Sequence, residues 1–246
     1  MENASQKPAI RAILFDKDGT IVDYEATWGP INRKAARIAA AGDPLLEARI
    51  LSACGIDPVS GATLGDSLFA ASGTREIAAA MIGQGSAFAL ADLTSRLDEL
   101  FTSAAGAVVA LADVADLFAT LRSAGFHLGV ATSDNEASAR VSLAALGVGD
   151  HLSFVCGYDS GHGIKPQPGM VHAFCAAVGC TPGEVAIVGD NRHDLVMGRN
   201  AGCGAVIGVL SGTGSADQLA ALADVCLTDI AALPHHLGLR SARQDT

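Results

Sequence analysis

The 246 residues carry a net charge of −10, with 16 Lys and Arg against 26 Asp and Glu, and half are hydrophobic while 17% are charged. At roughly 150 residues per domain this is one large domain or a core with a smaller companion; the apolar fraction excludes intrinsic disorder, and 28 glycines without a three-residue period exclude collagen. So acidic a surface repels nucleic-acid phosphates and anionic membranes, but it constrains large partners only, since a local cation can reverse the field inside one pocket and admit a small phosphorylated ligand.

In chain order, residues 1–8 are polar, and no stretch longer than 18 residues is free of charge, so neither a signal peptide nor a membrane span is expected and the cytoplasm is the default compartment. Residues 9–15 form an apolar run that stops in Asp-Lys-Asp-Gly-Thr, the pattern of a buried strand ending in a turn. From 23 to 105 the pattern changes to Ala-rich helical periodicity (Ile31, Ala35, Ile38; Leu45, Ala48, Leu51; Ile77, Ala80, Met81) with no convincing strand. That length exceeds any usual loop, so an inserted helical unit is expected, with irregular connections in its Gly-rich part, 55–85. Beyond it, predicted strands at 126–131, 152–156, 185–188 and 205–210 alternate with predicted helices at 114–123, 136–146, 169–178, 194–200 and 216–222. The alternation predicts an α/β, Rossmann-like, doubly wound parallel sheet, formed by 1–22 and 106–246, which binds ligands beyond the carboxyl ends of its strands. Six cysteines (Cys54, Cys156, Cys175, Cys180, Cys203, Cys226) form no C-x-x-C pair and read as reduced, buried thiols.

The strand ends carry the chemistry: Asp16 and Asp18 after the first, Thr132 and Ser133 after the second, Lys165 in Gly163-Ile164-Lys165-Pro166, then Asp190 and Asp194. A parallel sheet would bring them to one crevice. Two carboxylates near 4 Å repel by about 4 kcal/mol at an effective dielectric of 20, so such a cluster implies a cation. Oxygen donors without His or Cys select a hard ion, and Mg²⁺ fits better than zinc. A carboxylate, a divalent ion, a lysine and a hydroxyl are the parts of phosphoryl transfer. A calcium EF-hand loop is excluded, since Ile21 and Thr27 stand where it needs Gly and Glu.

Together, Asp16-Lys-Asp18-Gly-Thr20, Thr132, Lys165-Pro166 and Gly189-Asp190-x-x-x-Asp194 resemble the four ordered motifs of the haloacid dehalogenase-like phosphatase superfamily, over nearly the whole chain. The helical insert, 23–105, resembles the cap of its phosphoglycolate phosphatase-like branch. The resemblance implies that Asp16 is the nucleophile forming an aspartyl-phosphate and that Asp18 protonates the leaving oxygen, then activates water. It implies that Asp16, the Asp18 backbone carbonyl, Asp190 and Asp194 serve Mg²⁺, with Asp194 acting through water or by orienting Lys165. Thr132, Ser133 and the amides near Asp18, including that of Gly19, would hold phosphate oxygens, and Lys165 would neutralise the reacting groups. Two positions depart from the pattern: Lys17 where a hydrophobic residue is frequent, and Asn191 where Ser is common.

Each residue also has a plainer reading. Thr132 and Ser133, or Asp190 and Asp194, would start helices; Lys165 and His162 would be solvated loop residues, His162 otherwise a substrate contact. In the insert, Trp28, Arg33, Lys34, Thr74 and Arg75 would reach a leaving group or form solvated faces. A Mg²⁺-dependent phosphatase of small phosphomonoesters is the expected function. A phosphomutase, a phosphonatase using Lys34, a dehalogenase and a non-catalytic phosphate-binding scaffold are its competitors, and the oligomeric state is left open.

Overall fold

The computed structural model describes residues 9–239, so the polar segment 1–8 and the end of the chain, 240–246, lie outside the described residues. Six strands form one sheet: β1 (Ala12–Phe15), β2 (His127–Ala131), β3 (Phe154–Cys156), β4 (Val185–Gly189), β5 (Ala205–Val209) and β6 (Val225–Leu227). Their order is β3-β2-β1-β4-β5-β6, and every neighbouring pair is parallel. The apolar runs suit such a sheet because helices cover both faces. Along β1, Ile13 and Phe15 enter one core cluster while Ala12 and Leu14 enter the other, and β4 divides likewise, Ala186 and Val188 against Val185 and Ile187. The doubly wound parallel α/β fold expected from the alternation is therefore what forms.

Helices α1 (Tyr24–Ala40), α2 (Pro44–Cys54), α3 (Leu68–Ala71), α4 (Thr74–Gly83) and α5 (Leu90–Ala104) make up the insert; α6 (Val114–Ser123), α7 (Glu136–Ala145), α8 (Gly169–Val178), α9 (Arg192–Ala201), α10 (Ala216–Ala220) and α11 (Leu233–His236) belong with the sheet. The Ala-rich periodicity buries Ala35, Ala36 and Ala39 of α1 against Ile50, Met81, Leu93 and Leu97, a cluster separate from those of the sheet. Asp23 caps α1 through the Ala26 amide, and Asp43 caps α2, whose first position is Pro44. Beside the carboxyl end of β1 the chain leaves and returns along itself: Val22 bridges Ala110, Asp23 donates to the Val109 carbonyl at 2.8 Å, and Leu111 donates to that of Ile21 at 3.1 Å.

The structure departs from the sequence reading at several points, among them α11, where no helix was expected. Strand β6 was not anticipated, because its three half-buried residues are too short a run to show periodicity. Helix α9 starts two residues earlier than 194, since Asn191 is its cap. Of the six thiols, Cys54, Cys156 and Cys175 are buried, but Cys180, Cys203 and Cys226 are only half-buried at the margins of the sheet, which corrects the uniform reading.

Candidate active site

The ladder of β1 continues one residue past its end, where the Asp16 amide donates to the Val188 carbonyl at 2.8 Å and so fixes this residue at the carboxyl edge. The chain then turns sharply, with Gly19 at φ +87° donating to the Val22 carbonyl. A Cβ at position 19 would overlap the Asp190 carboxylate, so glycine is what lets that group, from the end of β4, approach the turn. Asn191 opens α9 in a capping box: its side chain accepts from the His193 amide, and its own amide donates to Asp194 Oδ2 at 3.1 Å. Asp194 thus serves a helix start and still presents Oδ1 to Lys165, whose Nζ lies 2.5 Å from it and 2.5 Å from Asp16 Oδ1.

One oxygen from each of Asp16, Asp190 and Asp194 fits within 4.8 Å of the others, and all three residues are buried. Lys165 contacts two of them; Asp190 accepts instead from Thr20 Oγ1 at 3.1 Å and the Thr213 amide at 2.9 Å. Burial, with Asp194 and Asp190 alongside, raises the Asp16 carboxyl well above the usual carboxylate range despite Lys165. Burial and Asp194 push Asp190 up to about 7, against its hydrogen bonds from Thr213 and Thr20. Burial alone would lower Lys165, but Asp16 and Asp194 overcome it and raise the ammonium. Three buried carboxylates facing one ammonium leave negative charge in excess, and a donor set of oxygens alone fits a hard divalent cation.

Of the residues anticipated from sequence, Asp16, Asp18, Thr132, Ser133, Lys165, Asp190 and Asp194 all line a single cavity of about 30 Å³, roofed by Ala70 and Ala71 of α3. Gly19 lies behind it, in the turn. Thr132 is buried with its Oγ1 accepting from the Asp134 amide, and Asn135, rather than Thr132 or Ser133, caps α7. The Asp18 carboxylate stands outside the acidic triad. It accepts from Trp28 Nε1 and from Lys17 Nζ, which is buried and also 3.5 Å from Asp134. Asp18 and Asp134 raise the Lys17 ammonium further than burial lowers it.

Two larger cavities open from this point between the sheet and the insert. One, of about 80 Å³, is walled by Trp28, Phe69, Phe101 and Tyr158; the other, of about 210 Å³, lies between Thr74 and Arg75 of α4 and Ile164, Lys165 and Met170. Trp28, Thr74 and Arg75 therefore reach the site region. Arg33 donates to the Gly61 carbonyl, and the exposed Lys34 and His162 line none of these cavities. Sequence reasoning missed Thr20, Asp134 and Thr213. Thr20 stands inside the first motif, where a hydroxyl one residue past the glycine was the available signal; Thr213 carried none.

A family model described as haloacid dehalogenase-like hydrolase matches residues 10–202. The probable phosphatase IndB of Dickeya dadantii is 37% identical over 116 residues, 47% of this chain and 50% of that protein. The chain spans about half the length, or less, of the first curated relatives it matches. A phosphoglycolate phosphatase of Photorhabdus laumondii is 28% identical over 95% of both chains. The crystal structure of a predicted phosphoglycolate phosphatase from Haemophilus somnus superposes with a TM-score of 0.69 at 20% identity, covering 94% of this chain and 99% of that one, a likeness of fold.

Proposed function

The chain belongs to the haloacid dehalogenase-like hydrolase family, and from that premise we propose that it is a Mg²⁺-dependent phosphatase that hydrolyses small phosphomonoesters through an aspartyl-phosphate on Asp16. The observation that carries the reading is the meeting of Asp16, Asp190, Asp194 and Lys165 in one buried cavity that Asp18 also lines. The relatives named phosphatases support it, and those named for phosphoglycolate favour a small phosphorylated acid as substrate.

In this mechanism Asp16 attacks phosphorus, and Lys165 neutralises both the attacking carboxylate and the transferring group. Asp18 gives its proton to the leaving oxygen and then takes one from the water that cleaves the acyl phosphate. Thr132 and Ser133 hold phosphate oxygens, whereas the Gly19 amide, expected from the sequence to join them, is committed to the Val22 carbonyl and lies behind the cavity. Asp16, Asp190, Asp194 and the Asp18 carbonyl would hold Mg²⁺, which when bound neutralises the carboxylates and polarises a phosphoryl oxygen. The helical unit, 23–105, acts as a cap whose aromatic and polar walls select the leaving group. A phosphonatase reading is disfavoured, because Lys34 stands exposed and away from the three cavities.

The test is phosphate release across a panel of metabolite phosphates, phosphoglycolate included, with Mg²⁺ and again with chelator. Chelation should abolish release, and Asp16→Asn should lower it by about 10³-fold or more with far-ultraviolet dichroism unchanged. Turnover persisting in Asp16→Asn overturns the assignment; an isomerised sugar phosphate in place of free phosphate converts it to a mutase.

A further inference from the structure

A lysine stands between the two aspartates of the first motif, and its side chain is 0% exposed. Its ammonium lies 2.8 Å from both oxygens of Asp18 and 3.5 Å from Asp134 Oδ2, with the Trp28 ring centroid 5.1 Å away. The indole Nε1 of Trp28 donates to the same Asp18 Oδ1 at 2.5 Å. Asp134 is itself pinned, accepting from the Asn135 amide at 2.8 Å, and Trp28 packs edge-on against Phe101 of α5 with centroids 6.1 Å apart. Asp18 is therefore gripped from two sides, by a residue of the turn that follows β1 and by a residue of the helical insert. A buried ammonium is rarely worth more to stability than a well-packed hydrophobic residue. What it adds here is direction, since two donors on one carboxylate leave its side chain a single orientation, in which it borders both the acidic cavity and the aromatic one.

We propose that Lys17 and Trp28 are positioning residues that clamp the Asp18 carboxylate toward the leaving-group oxygen, so that this proton-transferring group is aligned only while α1 of the insert lies against the sheet. The proposal rests on the phosphatase reading for the role of Asp18, whereas the clamp itself is a matter of contacts. Displacing a reacting group by about 1 Å costs on the order of 10²-fold in rate. That loss should fall on substrates whose leaving oxygen needs a proton. An alkyl phosphate expels an alkoxide and needs the Asp18 proton to phosphorylate Asp16; p-nitrophenyl phosphate expels a stable phenolate, so that first step, the one kcat/KM reports, does not need it.

Lys17→Met should thus lower kcat/KM for an alkyl phosphate by about 10- to 100-fold and for p-nitrophenyl phosphate by roughly three-fold at most, with the alkyl KM nearly constant. Lys17→Arg, which keeps donors in place, should recover part of the alkyl rate, and Trp28→Phe should show the same selective loss more weakly. An equal fall for both esters, or no fall for the alkyl one, overturns the proposal. Trp28 is the only tryptophan in the chain, so its emission reports the clamp without any turnover. Lys17→Met and Asp18→Asn should each shift that emission, and a spectrum unmoved in both refutes the clamp. Should the wild type hydrolyse neither ester, the phosphatase reading fails and the emission comparison still decides the clamp. Should Lys17→Met not fold, Trp28→Phe kinetics and Asp18→Asn emission decide it by the same criteria.

Discussion

At φ +87°, Gly19 holds a backbone conformation that costs an L-residue about 1–3 kcal/mol, and a methyl there would also overlap the Asp190 carboxylate. Gly19→Ala is expected to lower the thermal midpoint and, with the proposed Mg²⁺ site disturbed, to weaken the rise expected on adding the ion, both read by differential scanning fluorimetry with and without it. Asp190→Asn separates the two effects. It removes one carboxylate from a buried set with charge in excess, so the protein without metal should melt no lower than wild type while the Mg²⁺-induced rise disappears. At this scale the sequence was most legible where a charged residue ends an apolar run, as Asp16 and Asp190 do; Lys165, nine residues past its run, and Asp194, four past Asp190, were legible through the ordered motifs they complete. Lys17 was visible as a departure, but its burial was not, because whether a side chain two residues beyond a strand turns inward depends on what the insert places over it, here Trp28. Thr213 could not have been chosen: it lies 23 residues beyond Asp190 and reaches it only because β5 runs beside β4.

Helix α9 carries Asp194 and lies close on the sheet, for a Cβ on Gly198 would overlap Ile187 of β4. Gly198→Leu should therefore force the helix outward, costing about 1–3 kcal/mol by overpacking and lowering the denaturant midpoint. Because Asn191 and Asp194 open the same helix, phosphate release should fall with it; a variant losing stability but keeping full kcat would show that the start of α9 is held independently of its packing. Elements with strong periodicity were legible nearly to the residue, α6 and α8 among them, since an amphipathic stripe and a following glycine mark both face and end. Short elements were not: β6 owes its existence to hydrogen bonding with β5 rather than to any pattern in Val225–Leu227.

The molecule has hydrophobic clusters on the two faces of the sheet and a further one inside the helical insert. Truncating a fully buried side chain in the insert, as in Leu97→Ala, should cost about 2–5 kcal/mol there. Calorimetry is expected to show the insert melting at a lower temperature while the remaining transition still rises with Mg²⁺; a single transition that no longer responds to the ion would mean that the clusters unfold as one. That helices fill 23–105 was legible because the periodicity there differs from that of the strands. How they seat was not, since Gly65 against the Thr213 carbonyl and Gln218 against Asp66 join residues about 150 positions apart with no repeating signal.

The pairing of Val22 with Ala110 joins the two ends of the insert like a spine holding the pages of a book. Turning about that line changes no neighbour within the sheet, and the length of what is bound between the covers has no bearing on strand register. A helical segment taken from another protein and spliced at those two residues would meet the same floor of carboxylates but would lack Trp28, so exchanging the insert is expected to change the alignment of Asp18 together with the walls of the cavity.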